Sequence, residues 1–246
     1  CSVCFKSSHG LMNKRGFYIM YFPNDVKVFN VSQRSDEWRF LRGCKTSIKG
    51  KLPDDWIPYI TPFRFTASEI YVLTGKGQYK TREQYIGEVS GKIEKTFTGN
   101  FHTRRGQRLE PLVRERYEAK YGVKVEEVGF VVPRWCPFIG VSPDGLTEDG
   151  CIEIKCPVSI WPELLQDGVV KPEHYSQMQM AMVVCDRPWC DYLVYSEKDN
   201  VYFEKRVPRD MDFWNNELYP CIRSAIDEVK GSLVNDIDSD LTDSVI

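Results

Sequence analysis

The chain of 246 residues predicts a mixed α/β (α+β) fold, a central mixed β-sheet flanked by helices. Three observations predict it. Residues 142–155 read as strand, turn and strand. Residues 190–207 read as a hairpin around Lys198-Asp199-Asn200. Residues 103–121 and 173–185 read as helices, each able to cover one face of a sheet. The length suits one sizeable core. A hydrophobic content of 42% places the chain among globular proteins rather than disordered ones. No apolar run reaches membrane-spanning length and no secretory leader opens the chain. An intracellular location, nucleus or cytoplasm, without membrane attachment is therefore expected. Nine scattered cysteines, an odd number, fit a reducing compartment better than a disulfide framework. The net charge of −2 hides an asymmetry: from residue 226 on, six acids face one base, Lys230. The rest of the chain is net basic.

In chain order, residues 17–22 and 26–31 read as two short strands joined into a hairpin by Pro23-Asn24-Asp25. Residues 32–43 read as a short helix with a serine start, acids in the first turn and a glycine stop. Residues 44–65 are polar, contain Pro53, Pro58 and Pro62, and read as an irregular loop. A helix opens at 66–70, capped by Thr66 or Ser68, and a further helical pattern covers 81–97. Over 103–121, Leu109, Leu112, Val113, Arg116 and Tyr117 recur at three- and four-residue steps. Arginines make this helix basic, and Gly122 ends it. Strands over 125–132 and 138–141 lead to Asp144. The methionines of the 173–185 helix read as core packing, and a closing helix covers 213–230. The chain thus divides into an N-terminal hairpin extension (1–33), a main domain (34–230) and an acidic tail (231–246) expected to be disordered.

The chemistry sits at 142–157, Ser-Pro-Asp-Gly-Leu, a polar turn, then Gly-Cys-Ile-Glu-Ile-Lys-Cys-Pro. Side chains alternate along a strand, so Ile152 and Ile154 face one way and Glu153 and Lys155 the other. Asp144, at the end of the neighbouring strand, reaches the same place. Two carboxylates beside a lysine make an oxygen-donor site suited to Mg²⁺ or Mn²⁺. Taken alone, Glu110 reads as a solvated helix carboxylate or an ion-pair partner of Arg114.

These residues resemble the PD-(D/E)xK nuclease superfamily, and within it the YqaJ-like group of viral recombinases and lambda-exonuclease-like alkaline exonucleases. Several stretches carry the resemblance in order: Trp38 to Arg42, Thr66-Ala67-Ser68, Gly106-x3-Glu110 with Tyr117, Ser-Pro-Asp-Gly with Glu-x-Lys, and Tyr175-Ser176-Gln177-Met178-Gln179. The resemblance implies a restriction-endonuclease-like core and a Mg²⁺-dependent DNA exonuclease, with two ions that Mn²⁺ can replace. Asp144 and Glu153 would be direct ligands with the Ile154 carbonyl nearby, and Glu110 would serve the second ion. Lys155 would hold the attacking water or stabilise the phosphate. Gln179, with Gln177 as the weaker choice, would position a water or the scissile phosphate. Ser68, Ser142 and an arginine would form a 5′-phosphate pocket. Spacing from the tryptophan favours Arg42, and closeness to Thr-Ala-Ser favours Arg64.

The implied partners are double-stranded DNA ends and a single-strand annealing protein, with the chain acting as a homo-trimer or a monomer. Different expectations stay open: an endonuclease or RNA-degrading shut-off nuclease of the same superfamily, or a non-catalytic module that binds DNA ends. Cys1-x2-Cys4 with His9 lacks a second pair of zinc ligands. Cys185, Cys190 and Cys221 lack the tight clustering of an iron–sulfur site, so no cluster is expected. His102 and His174 read as ordinary polar residues, and Lys198 and Arg206 as solvated surface.

Overall fold

The computed structural model describes residues 11–12, 18–19, 26–43, 52–94 and 101–243. Three short strands come first: β1 (Leu11–Met12), β2 (Tyr18–Ile19) and β3 (Val26–Phe29). Helix α1 (Asp36–Leu41) follows, then a 3₁₀ helix (Asp54–Tyr59), β4 (Phe65–Thr66) and a second 3₁₀ helix (Ala67–Thr74). Helices α2 (Arg82–Val89) and α3 (Phe101–Tyr121) precede β5 (Phe130–Pro133), β6 (Ile139–Gly140), β7 (Gly145–Leu146) and β8 (Gly150–Lys155). Helices α4 (Pro162–Asp167) and α5 (Pro172–Val184) lead to the hairpin of β9 (Trp189–Ser196) and β10 (Val201–Pro208). A short turn of helix, α6 (Met211–Phe213), passes through a π-helical turn (Trp214–Leu218) into α7 (Tyr219–Asp243).

The central sheet is mixed, in the order β10-β9-β8-β7. Strands β8 and β9 run parallel, and both outer pairs are antiparallel. The apolar face of β8 carries Ile152 and Ile154, packed with Leu193 of β9 against Val113 and Tyr117 of α3. Its other face looks toward α5, where Met178, Met180 and Met182 join Cys151, Tyr192 and Val194 in the main core. Burial of each isoleucine is worth about 1.5–3 kcal/mol. A one-residue slip of β8 would forfeit both and drive Lys155 into the α3 interface, so the register, and with it the direction of Glu153, is strongly set.

Local capping agrees with the sequence at several ends. Ser35, rather than Ser32, caps α1 by accepting from the Trp38 amide at 3.1 Å. Thr81 and Gln84 form a reciprocal capping box on α2. Gly122 ends α3 at φ +64°, a backbone conformation that glycine adopts without strain.

Several expectations are corrected. Strand β2 pairs with β1, and β3 pairs with β5, so 17–22 and 26–31 do not form the expected hairpin. Packing decides this: Phe29 is buried with Leu41, Tyr59, Phe130 and Val132. The turn at 23–25 lies outside the described residues. So do 44–51 and 95–100, parts of the expected loop and of the expected 81–97 helix; its described part ends at Val89. The rest of the loop holds the first 3₁₀ helix. The second 3₁₀ helix starts after Thr66, yet Thr66 makes no side-chain cap bond. Leu112, assigned to the apolar stripe of α3, is 53% exposed. The acidic end is helical as far as Asp243, because extending a helix already docked by Ile222, Ile226 and Val229 needs no new nucleation. Among the described residues no helix is long and apolar enough to cross a membrane.

Candidate active site

The site forms at the end of β8, where the turn after Ser142 brings Asp144 beside the strand. Asp144 Oδ2 accepts a hydrogen bond from the Ile154 amide at 2.7 Å, which pins the turn to the strand. Glu153 is 2% exposed, and its Oε1 lies 2.6 Å from Lys155 Nζ. That ammonium also donates to Gln177 Oε1 at 3.0 Å. Burial, then the charges of Glu153 and Glu110, push the Asp144 carboxyl well above its ordinary range. Burial also raises Glu153, and the neighbouring Lys155 only partly offsets it. Burial alone would depress Lys155, but Glu153, Asp144 and Glu110 more than compensate, so the ammonium stays charged.

This electrostatic arrangement fits a divalent cation. Three carboxylates repel one another, and buried Glu153 Oε1 takes no well-formed hydrogen bond despite its contact with Lys155. Hard oxygen donors that lack enough hydrogen-bond partners are the donor set Mg²⁺ or Mn²⁺ takes. Among the described residues no three acid, imidazole or thiol groups make a ready-formed cage. Glu110 Oε2 instead accepts from Arg34 Nη2 at 2.9 Å, and Arg34 holds a positive φ of 73°.

Glu110 pairs with Arg34 and not with Arg114, the partner offered as one of its two alternatives. Arg114 instead donates to the Asp144 carbonyl at 3.1 Å and pairs with Glu127 at 2.7 Å. It therefore braces the turn that carries Asp144. Arg34 was not legible as a site residue; its only sequence signal is its place beside the Ser35 cap.

The two glutamines of α5 separate. Gln177 reaches Lys155, whereas Gln179 is fully buried. Gln179 Nε2 donates to the Pro208 carbonyl at 3.0 Å, and its Oε1 accepts from the Asp210 amide at 2.7 Å. The preference for Gln179 is thus corrected: it fastens the end of β10, and Gln177 faces the chemistry.

The two candidate arginines also separate. Arg42 donates to Thr66 Oγ1 at 3.2 Å and Ser68 Oγ at 3.0 Å, and its guanidinium stacks on Trp38 at 4.4 Å. Arg64 is buried, with its fork on the carbonyls of Leu41, Tyr59 and Pro137. Burial brings its pKa down to about 10. Arg64 therefore clamps the 52–65 segment from a buried position, with Nε, Nη1 and Nη2 each donating to a backbone carbonyl. Ser142 Oγ accepts from Trp38 Nε1 at 2.8 Å and donates to the Gly129 carbonyl at 2.8 Å. These two bonds tie Ser142 to the indole that lies under Arg42.

His174 packs beside the site, with Nδ1 2.6 Å from the Tyr192 hydroxyl. Burial and then the charges of Lys155 and Lys171 hold its pKa down at about 2, so it is a neutral ring and a weak base. Arg206 is not loose surface: it forks onto Asp191 at 2.8 Å through both Nε and Nη2.

A mixed sheet between two helices, offering Asp144, Glu153 and Lys155 from one strand–turn–strand, is a restriction-endonuclease-like α/β core. The chain belongs to the YqaJ-like viral recombinase domain family, whose model matches residues 59–188. Its structure is similar to an alkaline exonuclease from Laribacter hongkongensis, with 31% identity and a TM-score of 0.63 over 73% of this chain and 94% of that one. A second structure of that enzyme, in complex with dAMP, matches with 29% identity and a TM-score of 0.66, over 77% of this chain and 99% of the other. A phage-related exonuclease from Haemophilus somnus shares the fold, at 16% identity and a TM-score of 0.53, covering 74% of this chain and 99% of that chain. No curated protein sequence matches the chain.

Proposed function

We propose that the protein is a metal-dependent DNA exonuclease that hydrolyses phosphodiester bonds from the 5′ end of duplex DNA in recombination. The observation that carries this reading is the half-buried Asp144 beside the buried Glu153, with Lys155 and Gln177 at the mouth of the same strand. The family match, the alkaline exonuclease neighbours and the dAMP complex of one neighbour support it.

Asp144 and Glu153, with the Ile154 carbonyl, would hold Mg²⁺ or Mn²⁺, and Glu110 would contribute to a second ion. Bound ions lower the pKa of a water and neutralise charge on the phosphate. Lys155 keeps its proton beside the two carboxylates, so it can hold a water or hydrogen-bond a phosphate oxygen without acting as a base. Gln177 fixes the direction of that ammonium. Arg42, resting on Trp38 and flanked by Thr66 and Ser68, supplies a guanidinium for a terminal 5′ phosphate. Digestion in that direction leaves a 3′ single strand that an annealing protein would take up.

The test compares linear duplex with a 5′ phosphate, linear duplex with a 5′ hydroxyl, closed circular DNA and RNA, each with Mg²⁺ and with EDTA. Mg²⁺-dependent digestion of the 5′-phosphorylated linear duplex is expected, with closed circles intact. Glu153→Gln should retain the fold and lose cleavage by a factor on the order of 10³ or more. Closed circles cut as fast as linear DNA would sink the exonuclease reading.

A further inference from the structure

Beside the acidic site lies a cavity of about 370 Å³ lined by Arg104, Arg105, Arg108, Glu197 and Lys198. Arg104 and Arg108 are one helical turn apart on α3, and Arg105 and Arg108 share the same side. Glu197 and Lys198 come from the turn directly after β9. Strand β9 runs parallel to β8, with Val194 opposite Lys155, so the cavity opens at the same strand ends as the acidic site. Along α3, Arg105 lies five residues before Glu110, about 7.5 Å of helix.

The cavity contains one unusual group. Arg105 is 8% exposed, yet its Nε and Nη2 have no hydrogen-bond partner. A buried guanidinium with unpaired donors costs several kcal/mol, and its planar fork matches two oxygens of a phosphate. Arg108, by contrast, is neutralised by a bidentate pair with Glu197.

Resting on the nuclease reading above, we propose that this cavity binds an internal phosphate of the DNA strand whose end lies at Asp144 and Glu153, with Arg105 as the recognising residue. Arg104 and Lys198 add positive charge at the rim. Glu197 acts as an internal anion that occupies Arg108 and lowers the affinity of the cavity. A strand held here is gripped on both sides of the bond to be cut, which keeps the enzyme on its substrate between successive cleavages.

The test measures binding of a fluorescent 5′-phosphorylated duplex to the full chain without divalent ions, over a range of KCl concentrations. Arg105→Gln should weaken binding roughly tenfold and flatten the salt dependence by about one phosphate contact. Glu197→Gln, on an exposed side chain, should act in the opposite sense and tighten binding several-fold by releasing Arg108. A residue that only supports the fold would not give opposite signs. Should Arg105→Gln fail to fold in a thermal melt, Glu197→Gln decides alone: tighter binding supports the site, and unchanged or weaker binding overturns it.

Inorganic phosphate and 5′-dAMP serve as control probes. If either stabilises the wild type at low concentration but not Arg105→Gln, the cavity takes free phosphate or a nucleotide, and the strand-binding proposal falls. If wild type cuts DNA while both variants bind duplex as it does, this inference fails and the nuclease reading stands. If wild type neither binds nor cuts duplex, both fail together.

Discussion

Arg42 and Arg64 flank the same short helix and converge near β4, yet their guanidinium groups have opposite uses. Arg42 rests on the Trp38 ring with two hydroxyl oxygens around it. Arg64 is buried on three backbone carbonyls. The difference teaches what decides an arginine's role. A fork satisfied by backbone acceptors is part of the architecture. A fork that rests on an aromatic face beside the hydroxyls of Thr66 and Ser68 lies at the site the sequence assigns to a phosphate. Gln177 and Gln179 repeat the contrast on α5: one amide faces Lys155, and the other closes the end of β10.

The largest effect that would test this contrast is on stability. Arg64→Met leaves the carbonyls of Leu41, Tyr59 and Pro137 without their donor. At roughly 1 kcal/mol or more for each, destabilisation of about 3 kcal/mol is expected in denaturant titration. A variant that keeps wild-type stability but loses preference for a 5′ phosphate would reverse the two assignments. Next comes Arg42→Gln, which should melt close to wild type. It should lose the preference for 5′-phosphorylated over 5′-hydroxyl ends by roughly ten- to a hundredfold, the worth of a charged hydrogen bond of about 1.5–3 kcal/mol. An unchanged ratio of kcat/KM for the two substrates would remove Arg42 from the pocket.

The glutamine pair sharpens the same point at smaller magnitude. Gln179→Ala should cost about 1–3 kcal/mol of stability, by leaving the Asp210 amide and the Pro208 carbonyl unpaired. Gln177→Ala should instead slow cleavage roughly tenfold with little change in melting, because Lys155 loses its orienting partner. Exchange of these two outcomes would restore Gln179 to the site.

The smallest expected effect concerns the turn that carries Glu197 and Lys198. The Ile160 amide, at 3.1 Å, is the main reason the Asp199 carboxyl lies below its ordinary value of 3.8. A group lowered on folding adds stability above its unfolded pKa and loses it as the pH falls through its folded value. Asp199→Asn should therefore remove a small acid-limb loss of melting temperature below about pH 4. An acid limb identical to wild type would show that the turn is held by other contacts.

Much of this was legible beforehand for physical reasons. Alternation along β8 separates Ile152 and Ile154 from Glu153 and Lys155, and only one of those faces can enter an apolar interface. The Arg-rich helix and the methionine-rich helix likewise announce themselves by spacing and composition. That Gln177 and Gln179 diverge was also available, since residues two apart lie about 200° around a helix. Which of them faces Lys155 and Glu153 was not, because both flank the buried Met178. The pairing of β3 with β5 was hidden because a two-strand pattern names no partner. Arg34 and Arg105 were hidden because arginines in helical or turn sequences look alike until their neighbours are known.

The amino-acid sequence by itself determined the fold class, the strand that carries Asp144, Glu153 and Lys155, and the order of the flanking helices. Periodicity and turn chemistry act over a few residues, and those features depend on nothing longer. The tertiary structure alone decided that Arg42 and not Arg64 faces Ser68, that Arg34 holds Glu110, and that Arg105 is buried with its Nε and Nη2 unpaired. Those outcomes depend on which acceptors the fold brings within about 3 Å of a long, flexible side chain, and contacts between distant segments set that distance.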